Sequence, residues 1–234
     1  VPTVPEIEGY AGVWDADLTS VTSDLEVAPV YTILTYVVRI LDEWGTVYDT
    51  QTVEHGSTPV APAEEPAKTG YTFIGYAEDL GTFTVTEDTD ILVVFQIMTF
   101  TVEFFDDLGT SLLRAEVEYG GTIEAPSFDV PQGYVFNGWD TDFAVVTTDL
   151  DINAIVDPVD YDIVFDANGG QFASTLSTRT LSAPYLSVIG VQEEPVLEGY
   201  DFTGWYDNPE TTGDAFVFGP QTTMPLFGLE LYAG

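Results

Sequence analysis

Apolar and polar residues alternate along this chain in short runs, and the runs are bounded by Gly, Pro, Asn and Asp. Tyr36–Leu41 and Thr46–Val53 flank the link Asp-Glu-Trp-Gly at 42–45, and Thr101–Phe105 and Thr110–Val117 flank Asp-Asp-Leu-Gly at 106–109. A period of two puts alternate side chains on one face of a strand, so each run can bury one side and wet the other. The glycine closing each link supplies the positive φ that a tight hairpin requires. Tyr71–Tyr76 and Asp90–Ile97 read as two further strands. Ahead of them, Ser57–Thr69 is interrupted by Pro59, Pro62 and Pro66, which leaves room for one short helical turn at most. The predicted class is therefore mainly β, in small units of about four strands and a crossover, with short helices or none.

The pattern repeats. Gly-Tyr recurs at 9–10, 70–71, 133–134 and 199–200, and a second Gly-aromatic pair follows at 75–76, 138–139 and 204–205. YVVRILDEWGTVYDTQTVEHG (36–56) aligns without a gap on FTVEFFDDLGTSLLRAEVEYG (100–120), and WDADLTSVTSDLEVAPV (14–30) aligns on WDTDFAVVTTDLDINAI (139–155). Self-similarity at this length is the signature of a repeat array. The boundaries that follow are 1–34, holding only the second half of a copy, then 35–97, 98–158 and 159–234, the last with longer loops. The joins are short and partly apolar, as in Phe95-Gln-Ile-Met-Thr-Phe100, so neighbouring copies are expected to have limited freedom. Val1 follows no initiator Met and no leader pattern, so a longer, processed or repeat-bearing parent is expected.

Composition narrows the function. The chain carries 40 acidic side chains against 4 basic ones, a net charge of −36. Phosphate recognition needs clustered Lys and Arg, and Arg39, Lys68, Arg114 and Arg179 are scattered, so nucleic acid is excluded as a partner. The longest purely apolar run is Ile91–Phe95, far short of a span, so no membrane insertion is expected. The absence of Cys removes disulfides and thiolate chemistry, and a single histidine, His55, removes multi-His metal sites. So high a charge implies self-repulsion that salt relieves, fitting either a saline setting or an exposed fibre kept from associating with itself.

Acidic pairs abound: Asp15/Asp17, Asp106/Asp107, Asp140/Asp142, Asp149/Asp151, Asp160/Asp162 and Glu193/Glu194. In so acidic a chain such pairs arise without design and read as solvated surface rather than a hydrolase pair. Asp149-Leu-Asp-Ile-Asn153 begins like a calcium loop, but Ala154 and Asp160 stand where that loop needs Gly and Glu, and the alternation makes it a strand. Asp166-Ala-Asn-Gly-Gly170 reads as a hairpin turn rather than a nucleotide loop. His55 aligns with Tyr119, which argues against catalysis, and Lys68 is the sole lysine that a Lys–Asn crosslink could use. No catalytic, cofactor-binding or metal-binding residue is assigned, no cofactor is expected, and the binding residues are unknown. The recurring aromatics (Tyr71, Phe73 and Tyr76; Tyr134, Phe136 and Trp139) have two readings, a row of sugar platforms or the core of each small unit, and the need for a core in a unit this small favours the second.

YDIVFDANGG with EGYDFTGWYDNPE (161–170 and 198–210), QGYVFNGWDTDFAVVTTDLDINA (132–154) and KTGYTFIGYAE (68–78) together resemble the Listeria–Bacteroides repeat, the internalin B-type B repeat. The resemblance covers the whole chain, with residues 1–34 matching the second half of a repeat only. It implies a β-grasp-like unit found in extracellular bacterial proteins, strung between a functional head and a surface anchor, with no shared catalytic residues. The leading expectation is thus a non-enzymatic, extracellular segment forming a stalk, spacer or filament of a cell-surface protein or adhesin. The alternatives are a ligand-binding module for glycan or protein using exposed aromatics, and the subunit of a polymer assembled by strand donation. Expected partners are neighbouring repeats or other copies of itself, together with a host or cell-surface ligand of unknown identity.

Overall fold

The computed structural model describes residues 1–234, and every regular element in it is a strand. Two compact units divide the chain, one of Val1–Phe100 with Val117–Gly121 and Val146–Thr148, the other of the remaining residues. In the first, β1 (Tyr10–Trp14) pairs antiparallel with β2 (Pro29–Ile33), Tyr10 opposite Ile33. The segment ahead of β1 lies against this pair: the Trp14 indole donates to the Pro2 carbonyl at 2.9 Å and the Tyr31 hydroxyl to the Pro5 carbonyl at 2.8 Å. A four-stranded sheet follows, made of β3 (Thr35–Leu41), β4 (Val47–Glu54), β5 (Tyr71–Tyr76) and β6 (Thr89–Ile97) in the order β4-β3-β6-β5. The outer pairs are antiparallel and the central pair, β3 with β6, is parallel. This order is compatible with a β-grasp-like sheet, with an irregular crossover where a helix could stand.

The same order returns twice. β7 (Thr99–Phe105), β8 (Ser111–Glu118), β9 (Tyr134–Trp139) and β10 (Leu150–Pro158) form β8-β7-β10-β9. β11 (Asp160–Asp166), β12 (Thr178–Pro184), β13 (Trp205–Tyr206) and β14 (Leu229–Ala233) form β12-β11-β14-β13. The hairpin turns are as the spacing predicts, with positive φ at Gly45 and Gly109 and at both Asn168 and Gly169. The second glycine of the repeated motif has its own cause. The register of β5 with β6 shifts beside Gly75, that of β9 with β10 shifts across Asn137 and Gly138, and both glycines hold left-handed φ values, 147° and 109°. A bulge needs a residue without Cβ strain at that point.

Alternation fills the cores. In the second copy Val38, Ile40, Ile91 and Val93 face inward with Leu80 and Val85 from the loop before β6. Val37, Leu92 and Val94 face solvent. The recurring aromatics are placed differently from the simplest expectation. Phe73 and Tyr76 flank an aliphatic centre rather than forming it, and Phe136 lies partly in solvent. Only in the fourth copy does the ring become central, where Trp205 is 3% exposed and packs on Phe165, centroids 4.8 Å apart. In the second copy the parallel central strands already bring four branched aliphatics together, so rings from the edge strand close over them.

Candidate functional site: the joint between copies

No candidate residue of the sequence reading converges into a reaction centre, and the most ordered constellation is one that reading did not assemble. Leu34, Met98 and Val159 each stand between the closing strand of one copy and the first strand of the next. Each donates its N–H to the carbonyl of the glycine that precedes Tyr in the copy before: Leu34 to Gly9 at 2.8 Å, Met98 to Gly70 at 2.9 Å, Val159 to Gly133 at 2.8 Å. Each also accepts from an aromatic residue of the copy after: His55 to Leu34 at 2.8 Å, Tyr119 to Met98 at 2.8 Å, Tyr185 to Val159 at 2.9 Å.

The side chains complete the joint. The rings of His55, Tyr119 and Tyr185 lie so close over Gly9, Gly70 and Gly133 that a Cβ on any of these glycines would overlap the ring. All three glycines are buried. Each ring also packs on an aromatic of its own leading strand: Tyr36 with His55 at 5.9 Å, Phe100 with Tyr119 at 6.4 Å, Tyr161 with Tyr185 at 6.3 Å. Gly9, Gly70 and Gly133 hold φ of 80°, 79° and 87°, and the following Tyr N–H bonds three residues back, Tyr10 to Ile7, Tyr71 to Lys68 and Tyr134 to Pro131. So the first glycine of the motif serves two needs at once, a left-handed turn and close approach of a ring.

Some of the acidic side chains hold backbone. Asp42 accepts from the Trp44 and Thr46 N–H groups at 3.1 and 2.8 Å, and Asp106 from Leu108 and Thr110 at 2.9 and 2.7 Å. Asp88 accepts from Val37 N–H at 2.8 Å, and Asp149 from Thr101 N–H at 2.9 Å. Asp140 accepts from both the backbone and the side chain of Asn153, each at 2.8 Å, and these bonds hold its carboxyl below the ordinary aspartate range. Asp106 is lowered by the Thr110 N–H, and Asp17 by the Thr19 N–H. Residues 149–153 run into β10, with Ile152 buried between exposed Asp151 and Asn153, which is a strand face and not a loop around an ion. The segment 166–170 is a turn, where the Asp166 carboxylate accepts from Asn168 N–H at 2.7 Å.

Lys68 is held inside its own copy. Its Nζ lies 2.9 Å from the Trp44 ring centroid and 3.4 Å from Asp42 Oδ2. Burial raises the Asp42 pKa, but the Thr46 hydrogen bonds and the Lys68 charge outweigh it and the net shift is downward. An ionised carboxylate beside an ammonium is an ion pair, not an electrophile beside a nucleophile, and the group facing Lys68 is Asp42 rather than an Asn. His55, read from sequence as non-catalytic by its alignment with Tyr119, does occupy the place that Tyr119 occupies, at a joint.

The repeats are similar in sequence to known proteins. The sequence profile of the Listeria-Bacteroides repeat domain matches residues 40–96, 100–158 and 161–234. The chain belongs to the Listeria–Bacteroides repeat family. Two relatives from Evansella cellulosilytica (strain ATCC 21833 / DSM 2522 / FERM P-1141 / JCM 9156 / N-4) resemble this repeat chain at 27% identity. One, named "Putative membrane protein", aligns with 99% of this chain and 39% of its own length. The other, named "Putative Gly-rich membrane protein", aligns with 85% of this chain and 24% of its own length. The chain thus spans well under half of each relative. The matched ranges begin at the first strand of each copy or a few residues inside it, so the linkers Met98 and Val159 fall at or between the edges of the repeats.

Proposed function

We propose that this Listeria–Bacteroides repeat chain is a non-catalytic, extracellular spacer segment of a bacterial cell-surface protein, whose copies are held to one another by the glycine–ring joint. The observation that carries the reading is the recurrence of one joint three times with the same backbone bonds. A spacer needs each copy fixed on the last, and a binding or catalytic array does not. The placement of Tyr76 and Trp139 as half-buried rings and of Trp205 as a buried one supports the same reading, since sugar platforms need open faces. The membrane-protein names of the two relatives support a place at the cell envelope.

The chain lacks Cys, so two introduced cysteines are its only thiol labels. Spin labels at Asp151→Cys in the third copy and Ser182→Cys in the fourth report on their joint. The expected result is one narrow distance distribution that broadens when Tyr185 is replaced by Ala. A broad distribution in the parent chain overturns the reading, because copies that move freely do not make a spacer of defined reach. A second reading, a glycan or protein module, is favoured by exposed rings in the fourth copy, Tyr200 and Phe227. A glycan and protein screen in which binding is lost on Tyr200→Ala and Phe227→Ala would establish it.

A further inference from the structure

The fourth copy builds the receiving half of a joint and leaves it uncovered. Gly199 holds φ of 84°, inside the range of the three covered glycines, and the Tyr200 N–H bonds back to the Leu197 carbonyl at 3.1 Å as its counterparts do. Yet a Cβ at Gly199 would meet nothing within 4 Å, where one on Gly9, Gly70 or Gly133 would overlap a ring. Gly199 is exposed and the other three are buried, while Tyr200 is 76% exposed and Tyr71 and Tyr134 are half-buried. Val196 and Leu197 beside it are exposed as well. The turn is therefore formed without its ring, and its left-handed glycine is not explained by packing on anything present.

We propose that the Gly199–Tyr200 face is a docking surface for one further repeat of this family. The inference rests on the joint that the spacer reading also uses. The partner chemistry is set by the covered joints. A linker residue donates its N–H to the Gly199 carbonyl and accepts from the N–H of a Tyr or His, whose ring covers Gly199 and packs against an aromatic of its own leading strand. A second molecule of this chain is a poor occupant, because its three seating rings, His55, Tyr119 and Tyr185, are already in place over glycines. The exposed apolar residues around Gly199 suit a repeat better than a sugar, since the covered joints bury an equivalent glycine under a ring and make just two backbone hydrogen bonds each.

The test extends the full chain so that residues 156–234 follow Gly234. The register is right for this, because Ala233 lies opposite Trp205 as Ala154 lies opposite Trp139. The appended copy then presents a second Tyr185 to Gly199. Nitration of Tyr200, read by mass spectrometry, and amide exchange over 200–203 are compared with the parent chain. The expected result is protection by about tenfold or more, as the closing equilibrium of the joint demands. Protection is lost when the appended Tyr185 is changed to Ala and kept when it is changed to His, the ring of the first joint. Unchanged Tyr200 reactivity in an extended chain whose 151–182 distance stays narrow overturns the docking surface and leaves the spacer reading standing. Protection equal in the Ala variant shows a surface covered without the ring and overturns the proposal. Protection of Tyr200 in the unextended chain, with sedimentation as a dimer, assigns the face to a second copy and also overturns it.

Discussion

Gly133 and Gly199 are the same residue of the same motif, with nearly the same φ, 87° and 84°, and the same turn bond behind them. Gly133 lies under the Tyr185 ring, and Gly199 lies open. The pair separates two demands that a sequence motif merges. One is conformational and belongs to the turn. The other is steric and belongs to the neighbour. A glycine that satisfies both is fixed twice, and the second reason appears only when the next copy is in place.

The largest effect expected is on that difference. Gly199→Ala meets only the left-handed penalty, roughly 1–2 kcal/mol. Gly133→Ala meets the same penalty and drives a methyl into the Tyr185 ring, and overpacking of that kind adds about 1–3 kcal/mol. Thermal and urea unfolding of the two variants should therefore differ by at least 1 kcal/mol in the direction of greater damage at 133. Equal losses would mean that the Tyr185 ring moves aside freely and that the joint is soft.

Removing the ring tests the same contrast from the other side. Tyr185→Ala takes away a half-buried aromatic packed on Tyr134 and Tyr161, at 5.7 and 6.3 Å, and should cost about 2–3 kcal/mol, less than a fully buried ring. Tyr200→Ala removes a ring with no aromatic partner in the structure and should stay within about 0.5 kcal/mol. The loss in Tyr185→Ala should be local, with faster exchange of the Val159 and Tyr185 amides and little change at the Trp205 core. Faster exchange spread evenly over the fourth copy would mean that the copy depends on its neighbour to fold.

Much of this fold is legible in the sequence. Tyr71–Tyr76 is the observed strand, the runs around 42–45 and 106–109 lie within two residues of their strands, and the hairpin glycines have the expected φ. Period-two alternation and Asp/Gly turns are local signals, and local signals survive without a structure. The joint is non-local. His55, Tyr119 and Tyr185 meet glycines in the preceding copy, and nothing near Gly9, Gly70 or Gly133 in sequence names the ring. The alignment of His55 with Tyr119 was the available signal, since an aromatic kept at one register of every hairpin, and outside its alternating core face, needs a partner elsewhere. Tyr185 escaped it because the fourth copy has a longer link between β11 and β12. The aromatics do belong to the cores, but the aliphatics that fill the second copy's centre are less conspicuous, being scattered over two strands and a loop.

Acid should sort the hairpins by what holds them. The carboxylates of Asp42 and Asp106 lie below the ordinary value of 3.8, so they remain charged in the fold at a pH where the unfolded chain has begun to bind protons. Their contribution is complete above that ordinary value and is lost as pH falls through the folded values. The fourth hairpin is held in addition by the Asn168 amide, which donates to the Pro209 and Ala233 carbonyls at 3.0 and 3.1 Å and does not titrate. Below about pH 3.8, amides of Thr46, Leu108 and Thr110 should gain exchange rate sooner than that of Gly170, which is held by the Ala167 carbonyl, once intrinsic rates are divided out. Neutralising part of the −36 charge works in the opposite direction for the chain as a whole, so the comparison is made between hairpins at one pH rather than between pH values. Hairpins that loosen together would show that relief of repulsion, not the aspartate bonds, governs them.

The smallest effect concerns the one joint closed by a histidine. The His55 ring covers Gly9 as Tyr119 and Tyr185 cover theirs, but its Nδ1 is buried without a hydrogen-bond partner, whereas the hydroxyls of the two tyrosines leave no buried atom unpaired. A buried polar atom without a partner costs about 1–3 kcal/mol, and part of that is recovered if the ring shifts to reach water. His55→Tyr keeps a flat ring over Gly9 and against Tyr36 and removes the orphaned nitrogen, so the first joint should gain about 1 kcal/mol. The gain is read as roughly fivefold slower exchange of the Leu34 and residue-55 amides, the two that close this joint, at unchanged exchange in β11 and β14. His55→Phe separates the causes, because it too lacks the nitrogen but cannot place a hydroxyl in solvent. If both variants gain, the unpaired nitrogen is the defect and any six-membered ring closes the joint. If Tyr gains and Phe does not, the hydroxyl makes a contact of its own. If both lose, the five-membered ring is the one that fits above Gly9, and the first joint is built to a different shape from the other two.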